Sequence, residues 1–212
     1  MNITCRELGK IKLNKKVVVS DPCYSYGSDC AVIRKDVMPG EYRVFIRQRD
    51  EGEWGNRVSR LMAFHKDFAD YFHYQDDDVT ALFDYIPSIA ECLRGDVIGV
   101  DAGCAGIYDH DYFKKNQPDD DYGNTNSWYY RVTNLTNNEN GRGGVMDARC
   151  GISESGYGDG GYEVSFFRNH KTNEVVGIVI DFGIEDEDDY DEDEYDEDEY
   201  DDEDEEEEEE DE

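Results

Sequence analysis

The last 28 residues of this chain contain no aliphatic side chain, and this feature limits what part of the chain can fold. Between 185 and 212, 25 residues are Asp or Glu, and the other three are Tyr190, Tyr195 and Tyr200. Such a segment has almost nothing apolar to bury, and repulsion between neighbouring carboxylates keeps it extended. The sequence therefore predicts one globular domain over residues 1–184 and a disordered polyacidic tail over residues 185–212.

The charge of the chain excludes several classes of partner. It carries 54 acidic and 21 basic side chains, a net charge of −33; without the 25 acidic residues of the tail, residues 1–184 keep 29 acidic and 21 basic side chains, a net charge of −8. Direct binding to nucleic acid needs Lys and Arg against phosphate, so we do not expect it, and adhesion to anionic membranes is disfavoured for the same reason.

No apolar run approaches the ~20 residues of a membrane-spanning helix, and the first residues lack a signal-peptide pattern. We therefore expect a cytoplasmic protein.

The cysteine pattern also favours a cytoplasmic protein. Six cysteines are scattered along the chain, and no two stand in a C-x-x-C pair. A domain of this size needs no disulfide framework, and a zinc knuckle would need close pairs. We expect reduced thiols.

Alternation of apolar and polar residues predicts most of the fold as strands. Val17–Ser20 is a short apolar run that ends at an Asp-Pro turn. Glu41–Arg49 alternates apolar with charged or polar residues, which predicts a strand with one solvent-exposed face and an antiparallel hairpin with Val58–His65. The clearest unit is a hairpin of Gly160–Arg168 and Glu174–Phe182, whose second strand is almost wholly apolar and is expected at the centre of a sheet.

The rest of the chain adds short strands and few helices. Apolar residues at helical spacing predict one longer helix near 78–94. Strands are expected at Val97–Asp101 and Cys104–Tyr108, after which Asp109 should cap a short helix, and Trp128–Thr133 is strand-like. The predicted fold class is α+β and β-rich, mainly an antiparallel sheet or sandwich.

Six sequence blocks occur in an order that resembles a known family. They are VVVSDPCY, MPGEYRV, NRVSRLMAF, VIGVDAGCAGIYD, SESGYGDGGYEVSFF and VVGIVIDF. In this respect the chain resembles the bacterial and phage proteins called domain of unknown function 4241, over roughly residues 15–183. The most specific block is Ser155–Tyr162, and the acidic tail is no part of the family pattern. The resemblance implies a shared fold and fits a phage or mobile-element accessory role, but it implies no activity, since the family is uncharacterised.

The glycine-rich block contains the first group of candidate site residues. Asp159 lies among four glycines, between Ser155 and Tyr162. One hypothesis is a carboxylate held at the mouth of a pocket for a metal, a sugar or a ligand amine. The alternative is an Asp that only stabilises its own turn.

A second group of carboxylates lies at predicted strand ends. Asp21, Asp101 and Asp159 could provide oxygen ligands for Mg²⁺ or Ca²⁺, with Asp181, Asp109 and Asp111 as further candidates. Asp109 has an alternative role as the helix cap.

Two further residues belong to this ligand-binding hypothesis. Gly103 suggests a close approach to the backbone, either by a ligand or by a neighbouring strand. Arg57 could pair with Asp21, Asp101 or Asp181, or it could form an ordinary structural salt bridge.

Two functions from different classes follow. The sequence contains no zinc-hydrolase histidine motif and no G-x-S-x-G nucleophile elbow, and Cys23 has no His or Lys nearby in sequence to activate it. We therefore favour a non-enzymatic binding or accessory protein with a polar, Asp-lined pocket. Its acidic tail would engage a basic protein, unless the tail serves only solubility. The alternative is a metal-dependent hydrolase that uses the Asp cluster.

Overall fold

The computed structural model describes residues 3–71, 89–116, 124–137 and 141–184. Eleven strands and two α-helices lie in these ranges, together with short 3-10 turns at Gly52–Trp54 and Ala69–Tyr71. The strands are β1 (Ile3–Leu13), β2 (Val17–Ser20), β3 (Val32–Arg34), β4 (Gly40–Asp50), β5 (Asn56–His65), β6 (Ala90–Val100), β7 (Cys104–Asp109), β8 (Gly143–Met146), β9 (Cys150–Glu154), β10 (Gly160–Asn169) and β11 (Val175–Asp181). The helices are α1 (His110–Lys115) and α2 (Trp128–Thr136).

The strands form two antiparallel sheets. The larger sheet has six strands in the order β1-β4-β5-β11-β10-β6, and the smaller has five in the order β3-β2-β7-β9-β8. The predicted hairpins β4–β5 and β10–β11 are confirmed. The apolar strand β11 lies between β5 and β10, as expected for a strand that is buried on both faces.

The main core lies between the two sheets. The larger sheet contributes Tyr42, Val44, Ile46, Ile178 and Ile180 among others, and the smaller contributes Val17, Val19, Ala105 and Ile107. The sheets approach each other closely where β9 passes β4: a Cβ atom added at Gly151 would lie 2.6 Å from a methyl group of Val44. A larger side chain at this position would clash with the facing sheet, so the close approach requires glycine here. The predicted β-rich, antiparallel fold is confirmed.

The second face of the larger sheet is buried around the middle of β4, so the prediction of a solvent-exposed face on this strand is wrong there, whereas the Glu41 side chain at the start of the strand is partly exposed on this face. Phe45 and Arg47 point away from the main core but are only 3% and 2% exposed. Phe45 joins a second apolar cluster with Met62 and Phe64, on which Ala69 also packs. The charged residues that alternate along β4 indicated an exposed face. Alternation alone cannot show whether other parts of the chain cover that face.

Both helices cover the outer face of the smaller sheet. Asp109 caps α1 as predicted, and its Oδ1 accepts a hydrogen bond from the Tyr112 main-chain nitrogen at 3.3 Å. The prediction of a strand at 128–133 is wrong, because this segment is α2. Ser127 caps this helix, and Trp128 and Val132, four positions apart, pack into a cluster against the sheet.

The end of the predicted helix at 78–94 is also corrected. Residues 90–94 belong to β6, which pairs with β10 from Ala90 opposite Asn169 onwards. Pairing with a distant strand overrides the local helical spacing. Residues 72–88 and the tail at 185–212 lie outside the described ranges. Neither α1 nor α2 is long and apolar enough to cross a membrane.

Candidate functional site

Asp21 is a buried carboxylate that connects two turns at one end of the sandwich, its own turn after β2 and the turn at 101–103. Its Oδ2 accepts hydrogen bonds from the main-chain nitrogens of Asp101 at 2.8 Å and Ala102 at 2.7 Å. Its Oδ1 accepts a third bond from the Cys23 main-chain nitrogen at 2.6 Å. Asp21 follows β2 of the smaller sheet, and residues 101–103 lead from β6 of the larger sheet into β7. The side chain therefore holds the crossing between the sheets.

Asp159 extends this arrangement to the glycine-rich loop. Its Oδ1 accepts a hydrogen bond from the Gly103 main-chain nitrogen at 3.1 Å, and the Gly103 carbonyl accepts one from the Ser155 nitrogen at 3.1 Å. Gly103 adopts a φ of +61°, a conformation that disfavours other residues. Asp159 thus joins two loops, which is more than the turn-stabilising role considered from the sequence.

Ser155 and Tyr162 close the glycine-rich loop. The Ser155 hydroxyl donates to the Gly158 carbonyl at 2.7 Å. The Tyr162 hydroxyl lies 3.0 Å from the Ser155 carbonyl and 2.8 Å from the Gly158 carbonyl. We call the connected residues Asp21, Asp101, Gly103, Ser155, Asp159 and Tyr162 the loop network. The structure therefore brings together six of the eight residues that the sequence singled out.

Arg57 and Asp181 have other partners. The Arg57 Nε donates to the Trp54 carbonyl at 3.1 Å, and its guanidinium lies 5.8 Å from the centre of the Tyr157 ring. Asp181 accepts a bond from the Arg60 Nε at 2.7 Å across the β5–β11 pair. The expected pairing of Arg57 with a candidate aspartate is therefore wrong for Asp181, which pairs with a neighbouring arginine.

The geometry bears on the proposed metal ligands. Both oxygens of Asp21 already accept main-chain hydrogen bonds, which an incoming cation would have to replace. Within the ranges that the structure describes, no group of three or more His, Cys, Asp or Glu side chains is arranged to hold a metal ion. A Mg²⁺ or Ca²⁺ site built from Asp21, Asp101 and Asp159 remains a prediction.

The thiols near the loop network are poor nucleophiles. Burial, together with a hydrogen bond to Asp21 and the charges of Asp21 and Asp101, raises the pKa of Cys23 to about 12. Burial also raises the pKa of Cys104, with a further contribution from the Asp21 charge. A thiol reacts as its thiolate, so both side chains are almost wholly in the unreactive form at neutral pH.

Sequence reasoning missed an aromatic surface beside the loop network. Tyr157 belongs to the glycine-rich loop, and its hydroxyl donates to the Glu51 Oε2 at 2.8 Å. Glu51 in turn pairs with the Arg49 Nε at 3.2 Å. The sequence feature that could have indicated this surface is Trp54, because a large apolar side chain in a short polar loop is rarely needed for packing.

A row of hydrogen bonds at the start of α1 was also missed. His110 Nε2 lies 2.8 Å from the Tyr26 hydroxyl, and His110 Nδ1 lies 2.8 Å from the Asp111 Oδ1. His110 is buried and Asp111 is exposed. The row fastens the loop after β2 to α1, and no spacing in the sequence indicates that Tyr26 and His110 would meet.

Comparisons with known proteins returned no match to a family model, a curated protein or a solved structure. The resemblance to domain of unknown function 4241 therefore stays a prediction from the sequence.

Proposed function

We propose that this protein is a non-enzymatic binding protein that engages basic protein partners through its acidic tail. The observation that carries the proposal is the density of charge in residues 185–212, where 25 of 28 side chains are carboxylates. A polyanion of this kind attracts a basic surface over a distance of about 10 Å at moderate salt and accelerates encounter. The three interleaved tyrosines add faces on which arginine side chains can stack.

The loop network gives little support to a catalytic role. Asp21, Ser155 and Tyr162 are buried, and their polar groups are used in hydrogen bonds to the main chain. A catalytic carboxylate or hydroxyl needs to be within reach of a substrate atom. The alternative of a metal-dependent hydrolase is therefore less well supported.

The thiol state supports action in a reducing compartment. All six cysteines are free thiols, and four of them are at least partly exposed (Cys5, Cys23, Cys30 and Cys92). Proteins of oxidising compartments usually form disulfides from such cysteines. We propose that the protein acts in the cytoplasm.

The test compares the full chain with a variant whose tail carboxylates are replaced by the matching amides, Asp by Asn and Glu by Gln. The probe is a fluorescein-labelled nona-arginine peptide, and association is followed by stopped flow. We expect the native tail to associate at least about tenfold faster at low salt, with the difference shrinking as salt is added. A control chain with the tail residues in shuffled order should behave as the native one. Equal rates and affinities for the native and amide tails would contradict the proposal.

A further inference from the structure

Two large aromatic side chains are exposed at the end of the sandwich where the tail begins. Trp54, in the β4–β5 connection, is 68% exposed, and Tyr157, in the glycine-rich loop, is 55% exposed. Exposed apolar surface of this kind often marks an interaction site. Trp, Tyr and Arg are also the side chains that most often dominate the energy of protein interfaces.

The two loops that carry these side chains are connected. The Arg57 Nε donates a hydrogen bond to the main-chain carbonyl of Trp54, and the Arg57 guanidinium lies over the Tyr157 ring. The Tyr157 hydroxyl is held by Glu51. We call Glu51, Trp54, Arg57 and Tyr157 the aromatic end. A surface that is ordered before binding loses less conformational entropy when a partner arrives.

The charges around the aromatic end favour a basic partner. Asp50 and Glu53 are exposed beside Trp54, and Asp159 is exposed two positions after Tyr157. The nearby arginines are directed inward or engaged: Arg49 is 3% exposed, and Arg57 makes the contacts described above. An arginine that binds here would meet carboxylates and could stack on an indole or phenol face.

The tail leaves the folded part at the same place. Ile184 is buried and packs beside Gly156, where an added Cβ atom would lie 3.3 Å from its Cδ1. Gly156 directly precedes Tyr157, so the last described residue of the chain lies beside the glycine-rich loop. The polyacidic sequence follows Ile184, and its charge would attract a basic partner toward this end of the folded part.

We propose that the aromatic end binds an arginine-rich segment of the basic partner, with Trp54 and Tyr157 as the contact residues. This inference rests on the proposed function of the tail. The tail supplies long-range attraction, and the aromatic end supplies the short-range contacts that slow dissociation.

The experiment uses the full chain and the labelled nona-arginine peptide. Trp54→Ala and Tyr157→Ala should each weaken binding by about fivefold or more. This is the smallest loss of affinity expected when a residue that contributes to an interface is truncated. Tyr130→Ala is the matched control, since Tyr130 is 42% exposed on α2 and should leave binding unchanged. Thermal melts of each variant check that the fold is intact.

Tryptophan fluorescence gives a second readout. The chain has two tryptophans, and Trp128 is buried, so a change in emission on adding unlabelled peptide reports on Trp54. We expect such a change in the native chain and its loss in Trp54→Ala. If the peptide binds without changing the emission, and all three variants bind equally, the tail alone is responsible and this inference is overturned. The amide-tail variant tests the proposed function separately, because it keeps the aromatic end.

Discussion

The Asp21 Oδ2 atom lies 2.8 Å from the main-chain nitrogen of Asp101, a residue 80 positions further along the chain. The contact joins the end of a strand in the smaller sheet to the end of a strand in the larger sheet. Three main-chain donors converge on this one carboxylate, at 2.6, 2.7 and 2.8 Å. Asp21 is therefore first of all a structural residue, although the sequence made it one of several candidate carboxylate ligands for a metal ion.

Removing the Asp21 carboxylate should destabilise the fold. Asp21→Ala leaves three partly buried N–H groups without their acceptor, so we expect the free energy of unfolding to fall by about 2–3 kcal/mol in urea titrations. Asp101→Ala is the control: its side chain is exposed and its N–H group remains, so a change within about 0.5 kcal/mol is expected. Equal losses for the two variants would contradict this role of Asp21.

The Tyr162 hydroxyl should stabilise the glycine-rich loop. Tyr162→Phe keeps the ring, which packs edge-on against Phe182, but removes the donor to the Ser155 and Gly158 carbonyls. We expect a loss of about 1 kcal/mol in unfolding free energy and faster amide hydrogen exchange in residues 155–160. Exchange in this loop as slow as in the native chain would show that the hydroxyl does not hold it.

Two truncations should differ sharply. Ending the chain after Ile184 removes a segment without aliphatic side chains, so the melting temperature should hardly change at moderate salt. Ending it after Asp181 also removes Phe182 and Ile184, which are 2% and 6% exposed. We expect this shorter chain to lose about 3–5 kcal/mol of unfolding free energy, the combined effect of two buried side chains. A large drop in melting temperature for the first truncation would disprove the prediction.

His65 should make the stability depend on pH. Burial lowers the pKa of His65 from the ordinary value of 6.5, although the nearby Asp67 carboxylate acts in the opposite direction. The unfolded chain then binds more protons than the folded one just below pH 6.5. The contribution of His65 to the free energy of unfolding is therefore fully present above the pKa of the unfolded chain. It is lost as the pH falls from that pKa through the lower pKa of His65 in the folded chain.

The measurement is the unfolding free energy in urea at several values between about pH 7 and about pH 5. His65→Leu should give a flatter dependence on pH than the native chain. Its absolute stability matters less than this slope, because the substitution also changes the packing beside Gly40, where a Cβ atom would lie 2.2 Å from the His65 Nε2. Identical slopes would contradict the prediction.

The thiols should differ in reactivity. The pKa of Cys23 is raised to about 12 by burial and by Asp21, whereas Cys92 is exposed. Under native conditions near neutral pH, iodoacetamide should therefore modify Cys92 well before Cys23. Peptide mapping by mass spectrometry at several times gives the two rates. Modification of Cys23 as fast as Cys92 would revive the possibility of a reactive thiol.

Much of the fold could be predicted because it depends on neighbouring residues. Alternation identified the β4–β5 and β10–β11 hairpins, and the apolar run of β11 indicated its central place. Asp109 was recognisable as a cap because a helix cap acts on residues only three positions away.

The errors have a common cause. The segment at 90–94 is a strand because it pairs with β10, and α2 is a helix because its apolar side packs on the smaller sheet. The covered outer face of β4 depends in the same way on elements distant in sequence. A local sequence pattern gives only a modest preference for helix or strand, and the tertiary contacts that form on folding override that preference.

The sequence by itself determined where the polyacidic tail starts, the alternation of the main strands and the residue types available to a site. Only the tertiary structure decided the roles of those residues. Asp21 and Asp101 meet across 80 positions, and Asp181 pairs with Arg60 instead of Arg57. The physical reason is that composition and periodicity are properties of short segments. A hydrogen bond between distant loops, in contrast, depends on how the two sheets stack and where each strand ends.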